Sequence, residues 1–265
     1  MTEIDMHLAR RRKRRFRIYG VQYRMIAFIH IGKTGGTTIN TLLKTIPQYH
    51  QNNNYKDNEK YIIWLRHPVS RFVSAFNHAY YGVHVDTSTI KTFDLNHCLI
   101  PWWIKNSIGK EYVFSKQYDA LVKQFSSPNH LAESLSSENK ELRENANLLM
   151  CHNNEHINKG IGWYLKNGKF IKDRHKDILF VGTQENMQED IIRLSKLLNV
   201  EMNPVLKIRE NIYVDKKLKY LSPIAIKNIM NFYKNTDYAA LKTLKDYNLI
   251  TEEIYELYCK SPIVE

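Results

Sequence analysis

Lysine, glycine and threonine are concentrated in residues 32–38, a stretch that we call the anion loop. Gly35 and Gly36 permit a sharp backbone turn and a close approach by a ligand. Lys33 adds a positive charge on a flexible stem, which attracts an anion. Hydroxyl donors come from three threonines: Thr34, Thr37 and Thr38. Residues of these types at this spacing predict a site for a phosphate or a similar anion.

The segments on either side of the anion loop predict a strand before it and a helix after it. Residues 25–31 are a short apolar run with β-branched and aromatic side chains, which is typical of a buried strand. Residues 37–43 begin a helix, and its apolar positions have helical spacing: Ile39, Leu42, Leu43 and Ile46. The first N–H groups of such a helix, and the positive end of its dipole, face the loop and favour a bound anion.

A second anion site is predicted after the next apolar strand, residues 61–65. Arg66 follows that strand directly, and Pro68 suits the first turn of a helix. Ser74 lies two turns into this helix, so we expect Arg66 and Ser74 to reach the same phosphate, with Arg71 close by. Two anion sites separated by one βα unit suit a ligand that carries phosphate at two ends.

A nucleotide kinase or NTPase with a degenerate P-loop is one alternative. Its loop has the pattern G-x-x-x-x-G-K-S/T, and this chain has Ala27 where the first glycine is needed. These enzymes also hold magnesium on an acidic residue, often at the end of a neighbouring strand. The strand at residues 61–65 is followed by Arg66 instead, which repels a metal ion and attracts a second anionic group. Both departures disfavour this alternative.

The two segments together resemble the sulfotransferases that use 3′-phosphoadenosine-5′-phosphosulfate (PAPS), and they are most similar to the Golgi carbohydrate O-sulfotransferases of the heparan and chondroitin type. In that family the pattern H-I-P-K-T-G-G-T-S holds the 5′-phosphosulfate, and R-x-P-x-x-R-x-x-S-x-F/Y holds the 3′-phosphate. The matching positions in this chain are Lys33 to Thr38 in the first pattern and Arg66, Pro68, Arg71, Ser74 and Phe76 in the second. Gly32 stands in place of the usual proline, and His67 in place of the usual acidic residue.

The resemblance implies a fold, a cofactor and most of a site. It implies an α/β, P-loop-like, three-layer fold in which a central parallel sheet is flanked by helices. It implies that PAPS is the sulfuryl donor, that no metal is needed, and that the acceptor is a hydroxyl group of a carbohydrate. The cofactor-binding residues it implies are Lys33, Thr34, Gly35, Gly36, Thr37, Thr38, Arg66 and Ser74. Lys33 is also the expected catalytic cation, because negative charge grows on the oxygen that joins sulfur to the departing nucleotide.

A weaker resemblance lies in residues 159–165, which are similar to a stretch that closes over the nucleotide in relatives. On that basis Gly160 and Trp163 are further expected cofactor contacts. An ordinary glycine-containing turn beside a pair of core aromatic residues explains the same segment equally well. Downstream, residues 178–187 predict a strand and a turn that precede a helix at residues 188–198.

The acceptor hydroxyl must also lose a proton, and a histidine or glutamate within hydrogen-bond distance is the usual base. We expect His50 to be this base, because relatives often carry theirs just after the first helix and residues 48–50 bring it back toward the anion loop. The alternatives that remain open are His78, His84, His97 and Glu59.

His152 and His156 have the i, i+4 spacing of a metal pair on a helix, but no third ligand is near them in the sequence, so a structural role is expected.

Length and composition indicate the organisation of the chain. With 265 residues, 43% of them hydrophobic, it is long enough for one sizeable α/β domain, expected over residues 25–265. Residues 1–24 contain eight lysines and arginines against two acidic residues, and so hold half of the net charge of +12. We expect this tail to be disordered. A nucleic-acid-binding protein that uses the tail is a further alternative, but it leaves both anion sites unexplained, so nucleic acid is not an expected partner.

Localisation is predicted from what the sequence lacks. No apolar run approaches the length of about 18 residues that a membrane helix needs, and no apolar stretch follows the arginines of the tail to complete a signal peptide. The three cysteines, Cys98, Cys151 and Cys259, do not have the spacing of a zinc site and cannot all pair with one another. These features favour a soluble protein of the reducing cytoplasm.

Overall fold

A computed structural model describes residues 16–18, 21–23, 25–46, 49–51, 56–84, 116–152, 156–202 and 218–260. The strands are β1 (Phe16–Ile18), β2 (Val21–Tyr23), β3 (Met25–Ile29), β4 (Tyr49–Gln51), β5 (Glu59–Leu65) and β6 (Ile178–Thr183). The α-helices are α1 (Gly36–Leu43), α2 (Pro68–His84), α3 (Lys116–Lys123), α4 (Pro128–Ser134), α5 (Lys140–Met150), α6 (Ile161–Tyr164), α7 (Lys169–Arg174), α8 (Met187–Leu198), α9 (Pro223–Tyr233), α10 (Asp237–Asp246) and α11 (Glu252–Cys259). Short 3-10 helices lie at Lys166–Gly168 and His175–Asp177.

The described residues form two compact units, each assembled from separate stretches of the chain. The first unit lies within Met1–Arg66, Tyr164–Glu210 and Ala239–Glu256, and the second within His67–Trp163, Asn211–Tyr238 and Leu257–Glu265. Each unit has its own cluster of buried apolar side chains. The single domain that the sequence predicts over residues 25–265 stays a prediction.

The first unit is built on a four-stranded sheet with the strand order β4-β3-β5-β6. All neighbouring strands are parallel, and Ala27 of β3 lies opposite His50 of β4 on one side and Tyr61 of β5 on the other. Apart from Glu59 and Lys60, which begin β5, the strands β3 and β5 are almost fully buried apolar runs, as is usual for parallel strands that are covered on both faces. Because parallel strands end at the same edge, the segments that follow β3, β5 and β6 lie at the carboxyl edge of this sheet.

Helices of the first unit cover both faces of the sheet. One face packs on α1 and α8, and the buried side chains of this core include Ile26, Phe28, Ile62, Trp64 and Phe180 from the strands and Ile39, Leu43, Ile191 and Leu194 from the helices. On the other face Tyr61 contacts Phe170 of α7, with ring centroids 5.1 Å apart. The predicted α/β fold, a parallel sheet flanked by helices, is confirmed, and its layers are consistent with a three-layer arrangement.

The second unit is helical. Its core is formed by α2, α3, α4, α5 and α9, and its large buried side chains include Phe72, Phe76, Tyr118, Phe125 and Tyr233. Serine caps begin two of these helices: Ser127 Oγ accepts the N–H of His130 before α4, and Ser222 Oγ accepts the N–H of Ala225 before α9. Each cap is followed by a proline, which suits the first helical position. Within the described ranges, no helix is both long and apolar enough to cross a membrane.

The strands β1 and β2 lie within residues 1–24, the segment predicted to be a disordered tail. They form an antiparallel pair in which Phe16 is opposite Tyr23. β-branched and aromatic residues favour strands even beside a basic run. The disorder predicted for the tail as a whole stays a prediction. The basic stretch at residues 10–15 lies outside the described residues.

The packing of β6 against β5 makes Gly182 sensitive to added volume. A Cβ atom built on Gly182 would lie 2.4 Å from Cζ3 of Trp64, whose side chain is fully buried. We expect Gly182→Ala to lower the free energy of unfolding by about 1–3 kcal/mol, because the indole ring must shift inside a packed core. Urea unfolding followed by far-UV circular dichroism measures this loss.

The control is the double variant that adds Trp64→Phe to Gly182→Ala. The smaller ring removes the atoms nearest to the new methyl group, so Gly182→Ala should cost less in this background than in the wild type. Equal urea midpoints for the wild type and Gly182→Ala would contradict the described packing.

Candidate functional site

The anion loop turns the chain from β3 into α1 through two residues in the left-handed conformation. Lys33 has a φ of 71° and Gly35 a φ of 84°. Between them Thr34 is fully buried, and its Oγ1 donates a hydrogen bond of 2.9 Å to the carbonyl oxygen of Ile31. The hydroxyl of Thr34 therefore closes the loop. Because that hydroxyl is already used, the contact expected between Thr34 and a cofactor would have to be made by its backbone.

Arg66 supports the anion loop from the end of β5. Its Nη1 donates a hydrogen bond of 3.3 Å to the carbonyl oxygen of Lys33. A left-handed residue other than glycine costs on the order of 1–3 kcal/mol and persists only where its surroundings hold it. The hydrogen bonds of Thr34 and Arg66 provide that support. The structure thus brings Lys33 and Arg66 together, although the sequence predicts them in two separate anion sites.

The start of α1 has the features of an anion site. Gly36 is its first residue, and the preceding Gly35 has no side chain with which to cap the helix. The N–H of Thr38 donates to the carbonyl oxygen of Gly35 at 3.1 Å, which closes the first turn. N–H groups of a first helical turn point out of its amino-terminal end, where the helix dipole favours negative charge. The side chain of Thr37 at this end is half-buried, and that of Thr38 is buried.

Residues that follow β6 lie against the anion loop. The N–H of Gln184 donates to the carbonyl oxygen of Leu65 at 2.9 Å, so the chain stays beside β5 for one residue beyond the strand. A Cβ atom on Gly35 would lie 2.6 Å from Cε of Met187 and 3.9 Å from the side-chain amide of Gln184. The amide oxygen of Gln184 is buried and has no hydrogen-bond partner among the described residues. Rotation of this amide presents N–H donors to the same space, so Gln184 fits an anionic ligand at the loop.

His30 follows β3 and packs on the start of α1, a placement that sequence reasoning missed. A Cβ atom on Gly36 would lie 2.0 Å from Cδ2 of His30. The side-chain nitrogen of Gln51, the last residue of β4, is 3.0 Å from Nδ1 of His30. Burial, and then the positive charge of Lys33, lower the pKa of His30, so its ring is neutral at neutral pH. The sequence feature that could have indicated this placement is the position of His30 in the motif of the anion loop, three residues before Lys33.

His50 lies at a different part of the sheet. Its Nε2 is 2.9 Å from Oε1 of Glu59, and the two residues belong to the strands on either side of β3. Glu59 begins β5 and pairs with Met25, so this contact is at the amino-terminal end of the strands, whereas the anion loop follows their carboxyl ends. The residue that β4 brings to the loop is Gln51. The role of His50 as the base stays a prediction, and Glu59, an alternative base, is its partner.

The other histidine candidates lie in the second unit or outside the described residues. His78 is on α2, with its ring centroid 5.2 Å from that of His156. His97 and the side chain of His84 are outside the described residues. His152 packs on a tyrosine ring of α3, with ring centroids 4.9 Å apart. In the part of the chain that the structure describes, no group of three His, Cys, Asp or Glu residues is placed to hold a metal ion.

Three predicted cofactor contacts belong to the second unit: Ser74, Gly160 and Trp163. Ser74 is half-buried on α2. Trp163 is 50% exposed, and Nζ of Lys159 lies 4.7 Å from its ring centroid, so the tryptophan has a positive charge over its ring. Arg66 belongs to the first unit, and its predicted action together with Ser74 on one phosphate stays a prediction.

Gly160 has a packing role in the second unit. A Cβ atom on Gly160 would lie 2.2 Å from Oδ1 of Asp237, which is fully buried. The same oxygen accepts the N–H of Gly162 at 2.9 Å. The close approach of Asp237 therefore explains why glycine is needed here. This favours the alternative prediction, an ordinary glycine-containing turn, and leaves contact of Gly160 with a cofactor without support.

Arg71 is fully buried and belongs to the same network. Its Nη1 donates to the carbonyl oxygens of His156 at 2.8 Å and Lys159 at 3.3 Å, and its Nε is 3.6 Å from Oδ2 of Asp237. Burial raises the pKa of Asp237, and the guanidinium opposes that rise. The sequence predicts Arg71 close to a phosphate, but in the structure its donors hold the backbone that leads into Gly160.

His67 caps the start of α2. It stands where the family that the chain resembles has an acidic residue. Its Nδ1 accepts the N–H of Val69, in the first turn of α2, at 3.2 Å. With Nδ1 as the acceptor, Nε2 carries the proton and donates to the carbonyl oxygen of Lys260 at 2.9 Å. The neutral imidazole therefore satisfies the start of α2 without a carboxylate.

Comparisons with protein-family models, with curated proteins and with solved structures found no match to this chain. What the protein does must therefore be inferred from the residues of the site itself.

The buried network of the second unit predicts a large effect of removing its carboxylate. We expect Asp237→Ala to lower the free energy of unfolding by about 3–5 kcal/mol, because the Arg71 guanidinium is left buried without its counter-charge. Urea unfolding measures the loss.

Asp246→Ala is the matched control in the same helix, because Asp246 is exposed and pairs only with the exposed Lys242 among the described ion pairs. Such a surface pair contributes at most about 1 kcal/mol. Equal losses in the two variants would contradict the network.

Proposed function

We propose that this protein is a PAPS-dependent sulfotransferase that transfers a sulfuryl group to a carbohydrate hydroxyl. One observation carries the proposal: Lys33, in a left-handed turn before α1, is hydrogen-bonded through its carbonyl to Arg66 at the end of the neighbouring strand. The two cationic residues therefore share the carboxyl edge of a parallel sheet, the edge at which open α/β sheets bind ligands. In this proposal the strand, loop and helix form a P-loop-like unit.

The residues of the anion loop fit the phosphosulfate end of PAPS. Bound PAPS supplies a sulfur atom whose bond to the nucleotide oxygen breaks as its bond to the acceptor oxygen forms. The first N–H groups of α1 and the hydroxyls of Thr37 and Thr38 are the donors to the phosphate oxygens. The ammonium of Lys33 neutralises the bridging oxygen as it gains negative charge, which lowers the barrier. Gln184 adds a side-chain amide whose buried oxygen has no hydrogen-bond partner among the described residues.

Arg66 suits the 3′-phosphate of the same cofactor. A guanidinium has five N–H donors in a planar fork, so a hydrogen bond to the Lys33 carbonyl is compatible with a bidentate contact to phosphate. Because Arg66 also helps to hold Lys33 in its left-handed conformation, binding at the 3′ end is coupled to the shape of the loop at the 5′ end.

The acceptor hydroxyl gives up its proton as the new bond from sulfur to oxygen forms. The base that takes this proton must lie within hydrogen-bond distance of the hydroxyl. His50 and its partner Glu59 meet at the amino-terminal end of the strands, away from the anion loop, so this geometry does not support either of them as the base.

The strand ends disfavour a kinase or an NTPase. Such enzymes need a carboxylate for magnesium, typically where a strand near the phosphate loop ends. Of the two neighbours of β3, β5 is followed by Arg66, and β4 ends at Gln51 and is followed by three asparagines in the sequence. The nucleic-acid alternative relies on the basic tail and gives no role to Lys33 or Arg66.

Ligand-induced stabilisation separates these classes. We expect adenosine 3′,5′-bisphosphate, at about 100 times its dissociation constant, to stabilise the wild type by roughly 2.7 kcal/mol, which is a rise in unfolding temperature on the order of 5–10 °C. ATP with magnesium should have little effect at the same concentration. Arg66→Ala and Lys33→Gln should each reduce the rise, because each removes a positive charge from the site. Differential scanning fluorimetry measures the unfolding temperature.

Lys44→Gln is the matched control, because Lys44 is an exposed lysine at the opposite end of α1. It should respond to the bisphosphate as the wild type does. A rise with ATP and magnesium alone would contradict the proposal and favour a kinase or NTPase. A rise with an RNA or DNA fragment alone, lost on deletion of residues 1–24, would favour the nucleic-acid alternative.

A further inference from the structure

The ring of His30 takes the place of a side chain at the first residue of α1. Gly36 has no Cβ atom, and the position of that atom is filled by His30, whose Nε2 is 2.3 Å and whose Cδ2 is 2.0 Å from it. In an α-helix the bond from Cα to Cβ is tilted toward the amino terminus. The ring edge that carries Nε2 therefore lies at the amino-terminal end of α1, where we propose that the phosphosulfate binds.

Gln51 determines which nitrogen of His30 carries the proton. The amide nitrogen of Gln51 is 3.0 Å from Nδ1, and an amide N–H2 group only donates, so Nδ1 is the acceptor. A neutral imidazole has one acceptor and one donor nitrogen, so Nε2 bears the hydrogen. The ring also stacks on Phe28, with centroids 5.6 Å apart and an interplanar angle of 19°. Phe28 of β3 and Gln51 of β4 therefore both contact this ring, whose Nε2 edge lies beside the first residue of α1.

We propose that His30 binds the phosphosulfate group through Nε2–H, and that Gln51 is the positioning residue that fixes this tautomer. The inference rests on the proposed function and adds a named donor to its site. In the free protein, burial and the charge of Lys33 lower the pKa of His30, so the ring that meets the ligand is neutral and offers one N–H donor. It also gives Gly36 a function, because any Cβ atom there would displace the donor.

A ring that only fills the space over Gly36 would need neither the hydrogen on Nε2 nor the amide of Gln51. Three variants distinguish the two roles. His30→Phe keeps a planar ring but has no donor. His30→Gln restores an N–H donor without the ring. Gln51→Glu replaces the donor that faces Nδ1 with an acceptor, which draws a proton onto Nδ1.

The tautomer is measured on the free protein by long-range correlation of ring hydrogens with ring nitrogens after histidine labelling, with His30 assigned by comparison with His30→Phe. We expect a neutral ring protonated at Nε2 in the wild type, and a ring protonated at Nδ1 in Gln51→Glu. A wild-type ring that is protonated at Nδ1 alone would overturn the inference, whatever the protein binds.

Binding is measured by isothermal titration with adenosine 3′,5′-bisphosphate, whose 5′-phosphate stands in for the phosphosulfate. We expect His30→Phe to weaken binding about tenfold or more, as for the loss of a hydrogen bond to a charged group, and His30→Gln to recover part of the affinity. An unchanged unfolding temperature of free His30→Phe confirms that it folds. Equal affinity of the wild type and His30→Phe would overturn the inference and leave the proposed function intact, whereas a wild type that does not bind the bisphosphate would overturn both.

Discussion

The left-handed turn between β3 and α1 is the constraint on which the site depends. A chain that leaves a buried strand and enters a helix within a few residues must reverse direction sharply, and the positive φ values of Lys33 and Gly35 achieve this. The turn presents the amino-terminal end of α1 to the carboxyl edge of the sheet. It is held by a buried hydroxyl from Thr34 and by a guanidinium from the neighbouring strand. The groups that shape the loop and the groups proposed to bind the cofactor are therefore partly the same.

Arg66 and Arg71 show how burial decides between structural and functional use of the same residue type. Both belong to the second motif and are only a few positions apart. Arg66 follows the end of a strand, is half-buried and reaches the anion loop. Arg71 is on the buried face of α2, where a charged group is tolerated only with a counter-charge and several acceptors, and it has Asp237 and three backbone carbonyls. A motif match alone does not show which arginine has a structural role and which one lies at the anion loop.

The sequence predicts the local part of the site well and the non-local part poorly. The strand, loop and helix around Lys33 follow from residue types that act within a few positions, so they were predictable. The use of Gln51 rather than His50 at the loop depends on the register of β4 against β3, which no local pattern reveals. Neighbouring residues of a strand face opposite sides of the sheet, so an error of one position changes the partner completely. His50 reaches Glu59, and Gln51 reaches His30.

In the second unit, too, local features were predictable from the sequence and non-local contacts were not. Helical spacing was visible in its sequence, but the reason for glycine at position 160 is a carboxylate on Asp237, far along the chain. The close contact could be found only once α10 was in place. Two short strands also lie within the predicted tail, where β-forming side chains occur among the arginines.

The most direct test of the account is a crystal structure of the protein with adenosine 3′,5′-bisphosphate. We predict the 5′-phosphate at the start of α1, within hydrogen-bond distance of Lys33 and of Nε2 of His30, and the 3′-phosphate on Arg66. A bisphosphate bound away from the anion loop, or one whose 5′-phosphate does not contact Lys33, would contradict it.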